Sequence, residues 1–384
     1  MHPKDFDIIL CGGGHVGMSL ALALTSLHIR VALIDDAVDK NYGNRMFALS
    51  CASQKFLADL KVWPALHAHT TPIEHLHLSH QGHFGAARLH ADELRQRALG
   101  YTVPALELHR ALRQAVDNSD ITLFTPARLD RFCINTDGVE VVLFTAAGSQ
   151  TLRSYWVIGA DGVNSDVRKL AGIGMQRHAY TQRALVAALD LEQSHHFTAY
   201  ERLVGDQAIT LLPHTAWQSA VIWIGEHEAI QALATLDDTQ FIEKVQQIFG
   251  YRLGRFLAAT PRLTYPLIHT RAEAVHAARL LLVGNAAQTL HPVGAQGFNL
   301  ALRQLSILRQ LLAASPRTPC GDFDPTILSD YAARQYQETE RTLTFVEHLI
   351  DFSSSARRLP LMARQMLIHF LGASRTAQRY LLDR

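Results

Sequence analysis

The chain has 384 residues, of which 48% are hydrophobic and 18% charged, with 23 Gly and 13 Pro. This balance excludes a disordered chain, a collagen-like repeat and a coiled coil, and the length suits two domains or one large composite. Thirty-six Lys and Arg against 35 Asp and Glu leave a formal charge of +1, which offers nucleic acid no basic footprint.

From the amino terminus, Phe6-Asp7-Ile8-Ile9-Leu10 reads as a short buried strand. Cys11-Gly12-Gly13-Gly14-His15-Val16-Gly17 follows, then the helix-forming run Met18-Ser19-Leu20-Ala21-Leu22-Ala23-Leu24. Arg30 to Asp35 is a second strand ending in an acid. Ile8 to Ile29 contains no Asp, Glu, Lys or Arg, so its hydropathy resembles a membrane span or a signal peptide. Asp5 and Asp7 are wrong for a basic leader, and Gly12-Gly13-Gly14 would interrupt a spanning helix. A buried strand, a glycine turn and a buried helix account for the same run, in a cytoplasmic protein. Gly12, Gly14 and Gly17 fit GxGxxG. The first permits a tight turn, the second lets backbone approach a pyrophosphate, and the third lets helix pack on strand. The helix N-terminus presents free N–H groups to the phosphates, and Asp35 is placed to accept from a ribose. The pattern specifies a dinucleotide but does not separate NAD from FAD.

His67, His69, His75, His77, His80, His83 and His90 crowd the next segment. His75 and His77 would share a strand face, yet no carboxylate or cysteine stands in ligand-like spacing, so they are read as surface histidines and no metal is expected. Cys11, Cys51, Cys133 and Cys320 are far apart, with no CxxC pair, and read as buried thiols of a reducing compartment.

Two further strand-to-turn motifs follow. Val157-Ile158-Gly159-Ala160-Asp161-Gly162 turns into a helix beginning near Ser165. Leu280-Leu281-Leu282-Val283-Gly284-Asn285-Ala286-Ala287-Gln288 leads through His291-Pro292-Val293-Gly294-Ala295-Gln296 to a helix beginning near Gly297. That helix would aim N–H donors at an anionic group. Residues 181–270 alternate in strand fashion, as in Ala208-Ile209-Thr210-Leu211-Leu212 and Ser219-Ala220-Val221-Ile222-Trp223-Ile224. Beyond residue 330 the spacing is helical, with Leu343, Val346, Leu349 and Ile350 on one face. Arg357, Arg358, Arg364, Arg375, Arg379 and Arg384 then alternate with apolar residues, which suits a solvated face, a partner helix or a lip on an anionic membrane.

With GxGxxG, Asp161-Gly162 and Gly284-Asn285 in this order and at these spacings, the chain resembles the group A flavoprotein aromatic hydroxylases. These have the para-hydroxybenzoate hydroxylase fold. The likeness runs to about Leu371. Gly284-Asn285-Ala286-Ala287-Gln288-Thr289-Leu290-His291-Pro292, Arg45-Met46-Phe47-Ala48-Leu49-Ser50, Leu99-Gly100-Tyr101 and Leu108-His109-Arg110 are similar to the ubiquinone-biosynthesis branch, most of all to its 2-polyprenyl-6-methoxyphenol hydroxylases. The resemblance implies an α/β chain: a Rossmann-like FAD-binding domain with an inserted, mostly β substrate domain and a helical C-terminus. The flavin domain would comprise 1–75, 100–180 and 270–330, the substrate sheet 76–99 and 181–269, and the helical segment 331–384.

It implies FAD as the bound nucleotide and NADH or NADPH as reductant. Gly12, Gly14, Val16, Gly17 and Asp35 would hold the ADP half, with Arg45 and Arg110 near the ribityl chain and pyrophosphate. Asp161 would serve both FAD and the nicotinamide. Gly284 and Asn285 would meet the ribityl hydroxyls. Pro292, Gly294, Gly297, Phe298 and Asn299 would flank the flavin ring, and His291 is the candidate proton acceptor. Asn285 and Gln288 stand where most members carry Asp and His, and Ala295 where Gly is usual. The implied reaction inserts oxygen from O2 into a polyprenylated phenol. A quinone-biosynthesis complex and the inner membrane face are its further candidate partners. A flavin-dependent lipid dehydrogenase would share the fold without inserting oxygen, and a non-catalytic lipid-holding subunit would lack flavin.

Overall fold

The computed structural model describes residues 4–37, 42–82, 86–290, 296–315, 317–318 and 322–353. The first sheet has six strands, in the order His276–Ala277, Leu280–Leu282, Trp156–Gly159, Ile8–Cys11, Val31–Ile34 and Thr122–Phe124. All its neighbours pair in parallel except the outermost hairpin. Ile8, Ile9, Leu10, Ala32, Leu33 and Val157 are fully buried. Such continuous apolar runs are what a parallel sheet covered on both faces requires. The helix His15–Thr25 covers one face together with Gln296–Ala314. An antiparallel meander of Ala127–Ile134, Val139–Thr145 and Gly148–Ser154 covers the other. The glycine-loop helix is buried continuously from Gly17 to Leu24, so its all-round hydropathy answers to a protein interior.

A second sheet has nine strands, spanning Met175–Leu191, Thr198–Val204, Gln207–Thr215, Gln218–Glu226 and Leu263–Ala272, with His75–His80 and Ala86–His90 at one edge. Its period-two pattern separates two faces. Leu185, Val221 and Trp223 pack under two helices, while Ala199, Leu212, Ala220 and Ile222 meet Met46 and Ala48. Those helices, His227–Thr235 and Asp238–Phe249, lie within the stretch expected to be strand throughout. The second opens with a capping box between Asp237 and Gln240 and buries Phe241, Val245 and Phe249, a helical spacing.

Met46–Ser50, Gly100–Pro104 and Thr71–Ile73 form a small sheet between the two large ones. Buried Thr102 donates its hydroxyl to the Pro213 carbonyl and Thr71 to the His214 carbonyl, which ties the small sheet to the nine-stranded one. The last described helix, Thr326–Ser353, begins before the expected residue 331 and buries Val346. The Arg-rich tail from Arg357 onward and Cys320 lie outside the described residues, as do the side chains of Leu349 and Ile350. Cys11 is buried, but Cys133 is exposed, contrary to expectation, because it shares the outward face of its strand with Arg131.

Candidate active site

The glycine loop is built by close approach. Gly12 has φ +109°, and a Cβ there would lie 2.4 Å from the Ala160 carbonyl oxygen. A Cβ on Gly17 would fall 1.8 Å from the Gly12 carbonyl oxygen. Gly14 differs: its φ is −78°, and a Cβ would meet nothing within 4 Å. The loop therefore offers open space beside Gly14, where the helix His15–Thr25 starts with no side-chain cap and no acid in its first turn. Donors left free at such a terminus suit a phosphate. Asp35 is buried at the end of its strand and accepts from the Gly13 N–H at 3.0 Å. The predicted acid thus also shapes the loop. Val16 packs on Gly284, where a Cβ would come within 2.9 Å of a Val16 methyl at a φ of +57°.

The two later motifs are locked together by a residue that the motif reading passes over. Arg168 is buried, and its guanidinium donates to the Ala286 carbonyl at 2.9 Å and the Val163 carbonyl at 2.8 Å. Asp161 accepts from the N–H groups of Asp166 and Val167 through Oδ2, at 2.8 and 3.1 Å. Its Oδ1 is buried without a partner among the described residues. Burial pushes the neighbouring Cys11 thiol far up, helped by the Asp161 charge. At the start of Gln296–Ala314, the Gln296 Oε1 is likewise buried and unpartnered among the described residues, and a Cβ on Gly297 would meet none of their atoms within 4 Å. Asn285 is exposed.

Asn299 is drawn into the protein's own bonding. Its carbonyl accepts from the Ser50 N–H at 2.9 Å and the Ser53 hydroxyl at 2.6 Å, and its amide donates to the Ala48 carbonyl at 2.8 Å. This fixes the helix start against the strand that meets the nine-stranded sheet. Around the same junction five rings gather. His15 lies 4.6 Å from Tyr42 and 5.1 Å from Phe47, Phe47 lies 4.7 Å from Phe298, and the Tyr42 hydroxyl is 3.0 Å from His109 Nδ1. Burial, with the charge of Asp35, pushes the Tyr42 phenol up to about 12. Of this cluster only Phe298 is an expected site residue.

Arg45 stacks over Tyr265 of the large sheet, 4.9 Å from the ring centre. Arg110 is exposed and pairs with Glu107 one turn earlier at 2.7 Å, with no contact to the glycine loop among the described residues. His291, Pro292 and Gly294 lie outside the described residues. The histidines expected at the surface include buried His77, which meets Arg252 2.6 Å from its Nε2.

These features fit a flavin dinucleotide. The space beside Gly14 and the uncapped helix suit a pyrophosphate, and the orphaned acceptors Asp161 Oδ1 and Gln296 Oε1 suit donor groups of a bound molecule. Fold and site together define an FAD-dependent monooxygenase of the aromatic hydroxylase kind. The FAD binding domain family matches residues 5–345, and the chain belongs to it, within the ubiquinone-biosynthesis hydroxylase branch. The ubiquinone hydroxylase UbiL of Rhodospirillum rubrum is 30% identical over 94% of this chain and 85% of its own length. The 3-demethoxyubiquinol 3-hydroxylase of Escherichia coli is 30% identical over 81% of each chain. Among solved structures, p-nitrophenol 4-monooxygenase from Pseudomonas putida superposes with a TM-score of 0.79 over 100% of this chain and 98% of its own, at 16% identity.

Proposed function

We propose that this protein hydroxylates a polyprenylated phenol in ubiquinone biosynthesis, using bound FAD, NADH or NADPH, and O2. The observation that carries the reading is the apolar face formed by Ala199, Leu212, Ala220 and Ile222 where it meets Met46 and Ala48. The strand holding Met46 and Ala48 is bonded by Asn299 to the helix at whose start the flavin ring is expected. An apolar wall beside the ring suits a greasy phenol and keeps water from the reacting oxygen.

Gly12, Gly14, Val16, Gly17 and Asp35 would hold the ADP half. Asp161 and Gly284 would line the middle of the cofactor, and Gln296, Gly297 and Phe298 its ring end. When bound, FAD supplies electron transfer and oxygen activation, and the chain supplies placement, exclusion of water and handling of the phenol proton. No helix among the described residues is long and apolar enough to cross a membrane. A prenylated substrate and the Arg-rich C-terminal sequence favour a protein that works at the inner membrane face, within a quinone-biosynthesis assembly.

The test is a visible spectrum of the purified protein with FAD, followed by NADH and NADPH oxidation with and without a 2-prenylphenol. Flavin bands, substrate-stimulated oxidation and a product carrying one added oxygen are expected. Stimulated oxidation without oxygen insertion would point to a dehydrogenase, and a protein that refuses FAD to a lipid-holding subunit.

A further inference from the structure

The nine-stranded sheet carries an acid that flavin binding does not use. Side chains along Thr198–Val204 alternate between its faces. Tyr200 joins the core under the two helices, while Ala199 and Leu203 pack on the opposite side. Glu201 falls between those two on that opposite face, the one against which Met46 and Ala48 pack. Across the ladder it stands beside Thr210 and Leu78. Thr210 donates its hydroxyl to Glu201 Oε2 at 2.5 Å. No Lys, Arg or His pairs with the carboxyl among the described residues. The group lies deep in the protein but is not sealed from solvent. Burial raises it above the ordinary carboxylate range, and the Thr210 bond opposes that only in part.

A deep-set acid with no counter-charge among the described residues is costly to keep ionised, and in an apolar site such groups are characteristically functional. Ring hydroxylation needs an electron-rich ring, and loss of the phenol proton provides one. We propose that Glu201 is the proton acceptor for the substrate phenol. The O–H bond breaks, the proton passes to a Glu201 carboxylate oxygen, and the electron pair stays on the phenol oxygen. Thr210 holds the carboxylate in place. This rests on the hydroxylase reading above. An upward-shifted carboxyl is the better base for this step, because it narrows the gap to a phenol that ionises near pH 10.

The test measures kcat/KM for hydroxylation of a 2-prenylphenol across pH, with FAD-loaded wild type, Glu201→Gln and Thr210→Val. Glu201→Gln should lose about 10²- to 10⁴-fold near pH 7, and regain rate as the pH approaches that at which the phenol ionises unaided. Thr210→Val removes the bond that holds the carboxyl down, so the acid limb of its profile should move to higher pH. A Glu201→Gln enzyme within about threefold of wild type, with an unchanged acid limb, would overturn the role. If Glu201→Gln fails to fold, an unmoved limb in Thr210→Val overturns it instead. A wild type that binds the phenol but forms no oxygenated product would sink the hydroxylase reading itself, which separates the two failures.

Discussion

Replacing Gly14 by Ala isolates the cofactor's demand on the loop from the fold's. At φ −78° an alanine suffers no backbone strain, and its methyl would meet no atom within 4 Å in the protein alone. Ala caps a helix slightly less well than Gly but restricts the unfolded chain, so apoprotein stability should change by no more than about 1 kcal/mol. FAD sees the substitution differently. A methyl in the space meant for the pyrophosphate pushes a phosphate off the helix N–H groups. A hydrogen bond to a charged group is worth about 1.5–3 kcal/mol, so losing one weakens FAD roughly 10- to 100-fold. Quenching of flavin fluorescence on titrating apoprotein with FAD gives the dissociation constant, and thermal unfolding of the same apoprotein gives the control. Gly17→Ala is the contrast, because its methyl would sit 1.8 Å from the Gly12 carbonyl oxygen and the apoprotein itself should lose several kcal/mol. Wild-type FAD affinity in Gly14→Ala, or an apoprotein as damaged as Gly17→Ala, would refute the assignment of that space to phosphate.

Three further outcomes follow from the braces of the site. Asn299→Ala leaves the Ser50 N–H and the Ala48 carbonyl without their partner, and should lower the unfolding free energy by about 2–4 kcal/mol in urea titration. Arg168→Met strips the Ala286 and Val163 carbonyls of charged donors, so it should cost about 2–4 kcal/mol and loosen FAD as well, visible as faster flavin loss on dilution. His77 is held at about 4, by burial first and then by the Arg252 and Arg88 charges. The unfolded chain therefore takes up a proton below about pH 6.5 that the folded chain refuses until about pH 4. His77 stabilises fully above that window, and up to roughly 3 kcal/mol is lost across it. Denaturation midpoints measured from about pH 7.5 down to about pH 4 should fall steeply in wild type and less steeply in His77→Gln. Equal slopes would contradict the buried placement.

What is legible in the amino-acid sequence is what one local geometry demands. Three glycines and Asp35 answer to a single strand–turn–helix–strand unit, so each can be read in place. The continuous apolar strands of the first sheet and the alternating ones of the second are equally plain. The unforeseen residues act across distance. Arg168 stands in the short helix Asp166–Leu170 just after a readable turn, but its acceptor Ala286 lies 118 residues away. His15, Tyr42, Phe47, His109 and Phe298 come from separate segments that no spacing rule connects. Glu201 looks like an ordinary outward residue of a strand until the sheet shows which face is covered. The helix Asp238–Phe249 is a different case, because its capping box at Asp237 and Gln240 is a visible signal that the surrounding alternation overshadows.

The braces also give a physical reason why unusual motif residues are tolerated. Two joints brace the candidate site: the two later motifs against each other, and the Gln296–Ala314 helix against the strand Met46–Ser50. Arg168 secures the first through two backbone carbonyls, and Asn299 secures the second through the Ser50 N–H and the Ala48 carbonyl, with a further bond from Ser53 on the helix that follows. Neither joint uses the side chain of Asn285, which is exposed. Exchanging an acid for an amide there leaves both joints whole and alters only what the cofactor itself would meet. Ala295 lies outside the described residues, and Gln288, where most members carry His, is buried and accepts from Gln335 at 2.7 Å and Thr339 at 2.9 Å on the last described helix. An amide oxygen accepts both donors with no charge to bury. These two exchanges therefore differ in kind, one facing outward and the other absorbed into an internal network that joins the nine-stranded sheet to the last described helix.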